Sequence, residues 1–283
     1  MIMKMKLLVR LSLVLFISIG LFGCNHYEEK DKIVIRGSTS VEPIMEILMD
    51  DYLKTVEGEK TQFDIKCEGS GKGREAAEND INGNVIGMSS SAIKKEDESK
   101  FSQFDLAKDA VVLIVNKENN LRNLTIEEVY DIYTGKTTKF DGMSENITVV
   151  ARDSASGTRE AFENVIVSSN SEKLAGKMIQ TAEQLEKTAA VVAKVNTVKS
   201  AIGYVSLCSL DDSVIPLNIN GVEATVDNVK NNSYVLYRPF VILTNATLTE
   251  NNNLSKATIN FINYLKSEKA KQIIENNNYI SVD

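Results

Sequence analysis

Strand-like and helical segments alternate along most of the chain, and this alternation constrains the fold more than any other feature. Residues 33–35 have the apolar pattern of a strand and lead into a helical segment with Pro43 in its first turn, where proline is tolerated. The run FDLAKDAVVLIVNKEN is typical of a strand that is buried on both faces of a sheet. Alternating strands and helices predict an α/β fold.

The same patterns predict the later elements. A capping box from Thr125 to Glu128 marks the beginning of a helix. The segment TAEQLEKTAAVVAKVNTVKS predicts a helix over 181–200, and two further helices are predicted at 254–267 and 268–276. AIGYVSL and VLYRPFVILTN have the composition of strands.

Several predicted strands end in turns that are rich in glycine and hydroxyl residues. These turns are Gly37-Ser38-Thr39-Ser40, Gly69-Ser70-Gly71-Lys72-Gly73, residues 152–158 and the polar Ser89-Ser90-Ser91. Ligands of open α/β sheets bind at the carboxyl ends of strands, where the unpaired amide N–H groups of helix N-termini favour anions. Any one of these turns alone would more often be a helix cap than a ligand site. Together, with the guanidinium fork of Arg152, they suit a compact tetrahedral oxyanion.

Composition and charge exclude several other classes of function. The formal net charge is −7, whereas nucleic-acid binding usually needs a basic face. The single histidine is His26, which lies in a polar segment at 25–31. This position argues against most zinc sites and against a Ser-His-Asp triad. We therefore expect no metal, no cofactor and no catalytic residue.

The N-terminal segment has the features of an export signal. Basic residues precede the apolar run at 11–22, which is too short for a comfortable transmembrane helix. The run ends in LFGC, which resembles the bacterial lipobox, although Phe22 is bulkier than usual. We expect a signal peptide at 1–23, a lipid anchor on Cys24 and a tether at 24–31. The alternative is an ordinary signal peptide with a chance cysteine.

The two remaining cysteines, Cys67 and Cys208, are far apart in sequence and have no CxxC spacing. Two buried free thiols are expected, with a disulfide as the alternative in an exported protein.

The chain resembles the phosphate-binding lipoproteins of bacterial ABC-type phosphate importers over nearly all of its mature length. The matching motifs are GSTSVEP, EGSGKG, NVIGMSSSAI, AIGYVSL, YRPF and, most specifically, the Arg-x3-Ser-Gly-Thr signature in ARDSASGTREAF. The resemblance implies a type II periplasmic-binding-protein fold, in which two α/β domains are joined by two crossover strands and the ligand lies in the cleft between them. It places crossovers near 115–116 and 238–240. Domain 1 would then comprise 32–115 plus 240–283, and domain 2 would comprise 116–239.

The resemblance also implies the ligand-binding residues. Phosphate would be bound from one domain by Thr39, Ser40 and Ser70, and from the other by Arg152, Ser156, Gly157 and Thr158. Some members of the family place an aspartate in the fourth turn, where it accepts the proton of phosphate. Ser90 stands at that position here. A hydroxyl can still accept a hydrogen bond, but it lacks the charge that would repel sulfate.

The function implied by the resemblance is the capture of inorganic phosphate outside the cytoplasmic membrane and its delivery to a permease and an ATPase. Ser90 leaves open a different oxyanion or a phosphorylated small molecule as the ligand. A serine hydrolase that uses Ser70 with Lys72, or Ser156, is a further alternative, for which the sequence offers only weak candidates for a base. An adhesion or signalling protein that retains the fold is the last alternative, and the sequence does not separate it from a transport protein.

Overall fold

The computed structural model of the chain describes residues 31–282. The predicted signal peptide, Cys24 and all of the predicted tether except Asp31 lie outside the described residues. None of the helices within the described part has the length and apolar character needed to cross a membrane.

Nine strands of this part of the chain form one sheet, and two more form a separate pair. The strands are β1 (Asp31–Gly37), β2 (Thr61–Cys67), β3 (Val85–Ser89), β4 (Phe101–Asn116), β5 (Asn123–Leu124), β6 (Thr148–Arg152), β7 (Glu183–Leu185), β8 (Ala201–Ser206), β9 (Val214–Pro216), β10 (Asn218–Ile219) and β11 (Tyr237–Asn245). The order in the sheet is β2-β1-β3-β11-β4-β8-β6-β7, with β9 paired to β4, while β5 pairs with β10.

The helices lie between these strands and at the end of the chain. They are α1 (Glu42–Tyr52), α2 (Ser70–Glu78), α3 (Ile126–Tyr133), α4 (Gly157–Val165), α5 (Thr188–Thr197), α6 (Val226–Lys230), α7 (Ala246–Glu250), α8 (Lys256–Leu265) and α9 (Glu268–Asn276). The predicted capping box is present at the beginning of α3, where Thr125 and Glu128 each bind the backbone of the other.

Two long strands connect the two parallel halves of the sheet. β1, β2 and β3 are parallel to one another, as are β6, β7 and β8. β4 and β11 are antiparallel to each other and to their other neighbours, β8 and β3. β4 pairs with β11 as far as Ala110 and with β8 from Val111 onwards. The resemblance places the first crossover near residues 115–116. The change of partner lies before that point, between Ala110 and Val111.

Each parallel half has its own apolar core. Ile35, Met45 and Phe240 belong to the first core. Phe162 and Val191 belong to the second, as does the whole of 110–115 in β4. We call the elements around the first core, with β1–β3, α1, α2, α8 and α9, lobe 1. Those around the second core, with β6–β8 and α3–α5, are lobe 2.

The helix predicted over 181–200 is wrong in its first part. Residues 183–185, expected to be helical, form β7, and the helix α5 begins only at Thr188. β7 pairs in parallel with β6, where Gln184 lies beside Ala151 and Leu185 beside Arg152. Helix propensity is a weak preference that tertiary contacts override, and the free edge of β6 offers this segment ladder hydrogen bonds.

The two described cysteines are free thiols, as expected. Both are half-buried rather than fully buried. Burial raises the pKa of each thiol to about 12.

Candidate anion-binding site

The loops that follow β1, β2, β3, β6 and β7 lie at the carboxyl ends of these strands, and the structure brings loops of both lobes together. Lobe 1 contributes the turns after β1, β2 and β3, and lobe 2 contributes those after β6 and β7. Direct backbone contact also joins the lobes here, because the Gly71 N–H donates to Ala155 O at 3.0 Å. The serine, threonine and glycine turns of the sequence therefore form one cluster, which we call the anion cluster.

Arg152 lies at the centre of this cluster and is only 2% exposed. Its Nε donates to Leu185 O at 3.1 Å, and Nη2 donates to Glu186 O at 2.7 Å and to Thr39 Oγ1 at 3.0 Å. Nη1 donates to Thr188 Oγ1 at 3.0 Å. Burial lowers the pKa of the guanidinium, but an arginine side chain stays charged in proteins.

The acceptors around Arg152 are all neutral. Within residues 31–282, its side-chain hydrogen bonds go to two carbonyl oxygens and two hydroxyls, and none goes to a carboxylate. A buried charge without a counter-ion is costly. The carboxylate of Asp153 attracts the guanidinium but is not one of these hydrogen-bond acceptors, so a bound anion would supply the hydrogen-bonded negative charge.

Hydroxyl groups from the two lobes meet beside Arg152. Ser40 Oγ lies 3.0 Å from Thr158 Oγ1, and Ser70 Oγ lies 3.2 Å from Ser90 Oγ. The Ser90 N–H also donates to Ser70 Oγ at 3.0 Å. These four side chains are almost fully buried. Because each hydroxyl can donate as well as accept, together they can bind several oxygens of one small anion.

Gly157 brings a helix N-terminus against the lobe 1 hydroxyls. A Cβ at this position would collide with Ser70 Oγ and lie 2.8 Å from Ser90 Oγ. Only glycine therefore allows α4 to approach this closely. The first amide N–H groups of a helix have no acceptor within the helix, so this end of α4 can bind an anion.

Helix caps account for one of the predicted site residues and not for the others. Ser156 is the N-cap of α4, and its Oγ accepts a hydrogen bond from the Arg159 N–H at 3.3 Å. This is the local role that the sequence leaves open for such residues. By contrast, α1, α2 and α5 begin without a side-chain cap.

The structure thus brings the predicted ligand residues of both lobes together. Arg152 contacts Thr39, and Ser40 contacts Thr158. The other contacts involve Ser70, Ser90 and Gly157, the last of which directly precedes Thr158. Ser156 is 3% exposed and begins the same turn of helix. Cys24, the predicted lipidation site, lies outside the described residues.

Thr188 is a member of the anion cluster that the sequence motifs do not indicate. It is the first residue of α5, is 7% exposed and accepts a hydrogen bond from Arg152. The sequence assigned it to the interior of a longer helix. The pattern Lys187-Thr188-Ala189-Ala190, with a small hydroxyl residue before an apolar helical run, was the available signal for a helix start at this position.

A second contact between the lobes lies beside the anion cluster. Arg74 in α2 forms an ion pair with Glu160 in α4, with 3.2 Å between Nη1 and Oε2. Ser91 Oγ donates to the same carboxylate oxygen at 2.9 Å, and Arg74 also donates to Ser89 and Ser91 at 3.3 Å. Ser89 and Ser91 therefore bind this ion pair and not the hydroxyls around Ser90.

Ser70 and Lys72, one of the alternatives for a hydrolase, bind other partners in the structure. Lys72 is exposed, and its Nζ lies 2.7 Å from Glu75 Oε2. The hydrogen bonds of Ser70 go to Ser90, which is not a base. Among the described residues, no group of three or more His, Cys, Asp and Glu side chains could hold a metal ion.

The sequence and the fold both match a known superfamily. The family model described as the PBP superfamily domain matches residues 26–269, which is most of the chain. The chain belongs to the PBP superfamily, that of the periplasmic binding proteins. The predicted α/β fold and the predicted family are therefore confirmed.

Relatives of this PBP-superfamily protein bear names related to phosphate. A substrate-binding protein from Clostridium perfringens, solved with bound phosphate, is 31% identical, with a TM-score of 0.80, and the match covers 89% of this chain and all of that one. An ABC-type phosphate transport receptor from Vibrio cholerae is also 31% identical, with a TM-score of 0.70, over 88% of this chain and all of that one. Phosphate-binding protein PstS 2 of Streptococcus agalactiae is 36% identical over 48% of this chain. That match spans 46% of the relative, which is about half of its length.

Proposed function

We propose that this protein is an extracytoplasmic substrate-binding protein that captures inorganic phosphate and delivers it to an ABC importer. The main support for the proposal is the burial of Arg152. Within the described residues, its side-chain hydrogen bonds all go to neutral oxygens, and both lobes contribute these oxygens. A phosphate dianion would neutralise this charge. The phosphate-related names of similar proteins support the choice of anion.

The bound anion would touch both lobes. Thr39, Ser40, Ser70 and Ser90 would bind it from lobe 1, and the segment 152–158 would bind it from lobe 2. Nη1 makes one hydrogen bond within the described residues, so its second N–H can donate to an anion oxygen. The Thr39 hydroxyl accepts from Arg152, which leaves its own hydrogen free to donate to the same ligand.

Titration calorimetry of the full-length protein tests the proposal. Phosphate, sulfate and molybdate should be compared at several pH values, and we expect the tightest binding for phosphate. If Ser90 accepts the proton of phosphate, sulfate should bind more weakly because it has no proton to donate. If sulfate bound with equal affinity, Ser90 would not discriminate between phosphate and sulfate. If none of the three anions bound, the proposed function would be overturned.

Phosphate binding should also favour the closed arrangement of the lobes, because a ligand stabilises the state that it binds better. The cluster includes hydrogen bonds between lobes, such as Ser40 to Thr158. Small-angle scattering should therefore give a smaller radius of gyration with phosphate than without it. An unchanged radius would contradict a hinge between the lobes.

The proposed location is the outer face of the cell membrane, with Cys24 as the lipid-bearing residue. Replacing Cys24 by Ala should release the protein from the membrane fraction. Retention of the unlipidated variant in the membrane would overturn the lipoprotein assignment. The proposed partners are phosphate and the permease and ATPase subunits of the importer. We propose no enzymatic activity, because Ser70 and Lys72 do not contact each other.

A phosphorylated small molecule is the second candidate ligand, and a groove beside the anion cluster favours it. The groove has a volume of about 550 Å³ and includes Thr39 and Thr188, both of which contact Arg152. Pro43, Val192 and Ala193 give part of it an apolar surface. A phosphate monoester that binds more tightly than phosphate in the same calorimetry would establish this candidate over the first.

A further inference from the structure

The hydroxyl hydrogen of Thr188 has only a poor hydrogen-bond acceptor among the described residues. Its Oγ1 must accept from Arg152 Nη1, since a guanidinium has no acceptor. The Thr188 O–H is then free to donate. Within the described residues, the hydrogen bond that it can make to Ser40 Oγ is 3.5 Å long, which exceeds the usual 2.5–3.0 Å of an O–H···O hydrogen bond.

The position of Thr188 in α5 adds a second, independent feature. Thr188 is the first residue of this ten-residue helix, and the N-cap residue Lys187 makes no side-chain cap. The first amide N–H groups of α5 therefore lack a side-chain partner, and the helix dipole makes this end partly positive. The hydroxyl of Thr188 and this helix end lie together beside Arg152.

We propose that Thr188 is a further ligand-binding residue, which donates its hydroxyl to the bound oxyanion from the β7–α5 loop. This assignment rests on the proposed function and extends it. Lobe 2 then binds the anion through two loops, the one after β6 with Arg152 and the one after β7 with Thr188. Arg152 also polarises the hydroxyl, because a hydrogen bond accepted from a cation strengthens the hydrogen bond that the hydroxyl donates.

Calorimetry with phosphate on full-length variants tests the assignment. Thr188→Val removes the hydroxyl and nearly preserves the shape, so affinity should fall by about tenfold or more, as expected for a hydrogen bond to a charged group. Thr188→Ser keeps the hydroxyl and should stay within about threefold of the wild type. Thr197→Val is the matched control in the same helix, because its exposed hydroxyl binds only carbonyl oxygens within α5, and it should leave the affinity unchanged.

A double-variant cycle separates direct binding from positioning of Arg152. If Thr188 contacts the anion, Thr188→Val should still weaken phosphate binding in the Arg152→Lys background, although by a smaller factor than in the wild type, because Thr188 and Arg152 are in contact. A loss that disappears in that background would assign Thr188 to holding Arg152 and would overturn the proposal.

The outcome for the wild type keeps the two hypotheses apart. Binding of phosphate that is equally tight in wild type and Thr188→Val overturns the assignment of Thr188 and leaves the proposed function intact. Failure of the wild type to bind phosphate overturns the proposed function, and the assignment of Thr188 with it.

Discussion

Two buried arginines, Arg152 and Arg238, differ in what surrounds their charge. Arg238 lies in the connecting strand β11, is 1% exposed and donates to Asp109 Oδ2 through Nε at 3.2 Å and Nη2 at 2.9 Å. Asp109 lies opposite it in β4, and Ser206 Oγ donates to Asp109 Oδ1 at 2.8 Å. Burial raises the pKa of Asp109, and the charge of Arg238 opposes this shift. Arg152 is 2% exposed and has only neutral acceptors in the described part of the chain.

The difference separates a structural arginine from one that can bind a ligand. The charge of Arg238 is neutralised inside the protein, where it joins the two strands that connect the lobes. The guanidinium of Arg152 is held in place by carbonyl and hydroxyl groups, which orient it without neutralising it, and the carboxylate of Asp153 acts on it without a direct hydrogen bond. The binding free energy of an incoming anion can therefore be more favourable at Arg152 than at Arg238. At Arg238 the anion would compete with the carboxylate of Asp109.

The largest effect should come from Arg152→Met. This change removes the cation from the anion cluster. The ligand then loses the Coulomb attraction of the guanidinium and one charge-assisted hydrogen bond, which is worth about 1.5–3 kcal/mol. Phosphate affinity measured by calorimetry should fall by about two decades or more. Arg152→Lys keeps the charge and loses the planar fork, so it should bind with intermediate affinity. Phosphate affinity that is unchanged in both variants would place Arg152 outside the site.

Arg238→Met should affect stability rather than phosphate binding directly. It leaves Asp109 buried without its counter-ion, which typically costs about 3–5 kcal/mol of unfolding free energy. Chemical denaturation in phosphate-free buffer measures this loss. The double variant Arg238→Met/Asp109→Leu should recover most of it, since replacing a whole buried ion pair by apolar side chains is often neutral. A larger loss of stability in Arg152→Met than in Arg238→Met would contradict the assignment of Arg238 as the structural arginine.

Gly157→Ala should weaken binding by obstructing the contact between the lobes. The new Cβ would collide with Ser70 Oγ, and overpacking of this kind costs about 1–3 kcal/mol. We expect phosphate affinity to fall by roughly ten- to a hundredfold. Gly71→Ala is the matched control, because a Cβ there has its nearest neighbour at 3.6 Å. Equal losses in the two variants would show that the close approach at Gly157 is not required.

The smallest effect should come from the ion pair between Arg74 and Glu160. Both side chains are partly exposed, and such ion pairs contribute about 0.2–1 kcal/mol. Glu160→Gln should therefore lower phosphate affinity by about fivefold at most, and the difference should shrink at high salt. Glu172→Gln breaks an exposed ion pair with Lys177 in the segment between α4 and β7, so it should not affect binding. Identical behaviour of these two variants would show that the interlobe ion pair does not favour closure.

Much of the candidate site could be predicted from the sequence because its residues belong to local motifs. The turns around Ser40, Ser70 and Ser90 and the segment 152–158 are each short runs of glycine and hydroxyl residues at strand ends. Each run alone could be a helix cap, but the rule that ligands bind at the carboxyl ends of strands predicts that the runs come together. Thr188 was missed because it belongs to a segment of ordinary helix formers, in which a single threonine is not distinctive.

The same distinction holds for the secondary structure. α9 and the capped beginning of α3 agree with the prediction because side-chain spacing and capping are properties of the local sequence. β7 could not be predicted, because residues 183–185 become a strand only when they pair with the edge of β6. The partner change in β4 has the same cause, since the partner of each half is determined by the strand that lies beside it.

The sequence by itself determined the α/β fold, the family and the chemistry of the anion cluster, because periodicity, turn composition and the Arg-x3-Ser-Gly-Thr signature are all local patterns. Tertiary structure decided which charges are neutralised. Arg152 and Arg238 are both arginines at or near a strand end, and only the distant residue opposite each one distinguishes them. Asp109 lies opposite Arg238 because β4 and β11 are antiparallel in that register, whereas Arg152 meets Thr39 and Thr188 because two lobes and an edge strand converge there. Charge compensation depends on distances in space, which the order of residues does not specify.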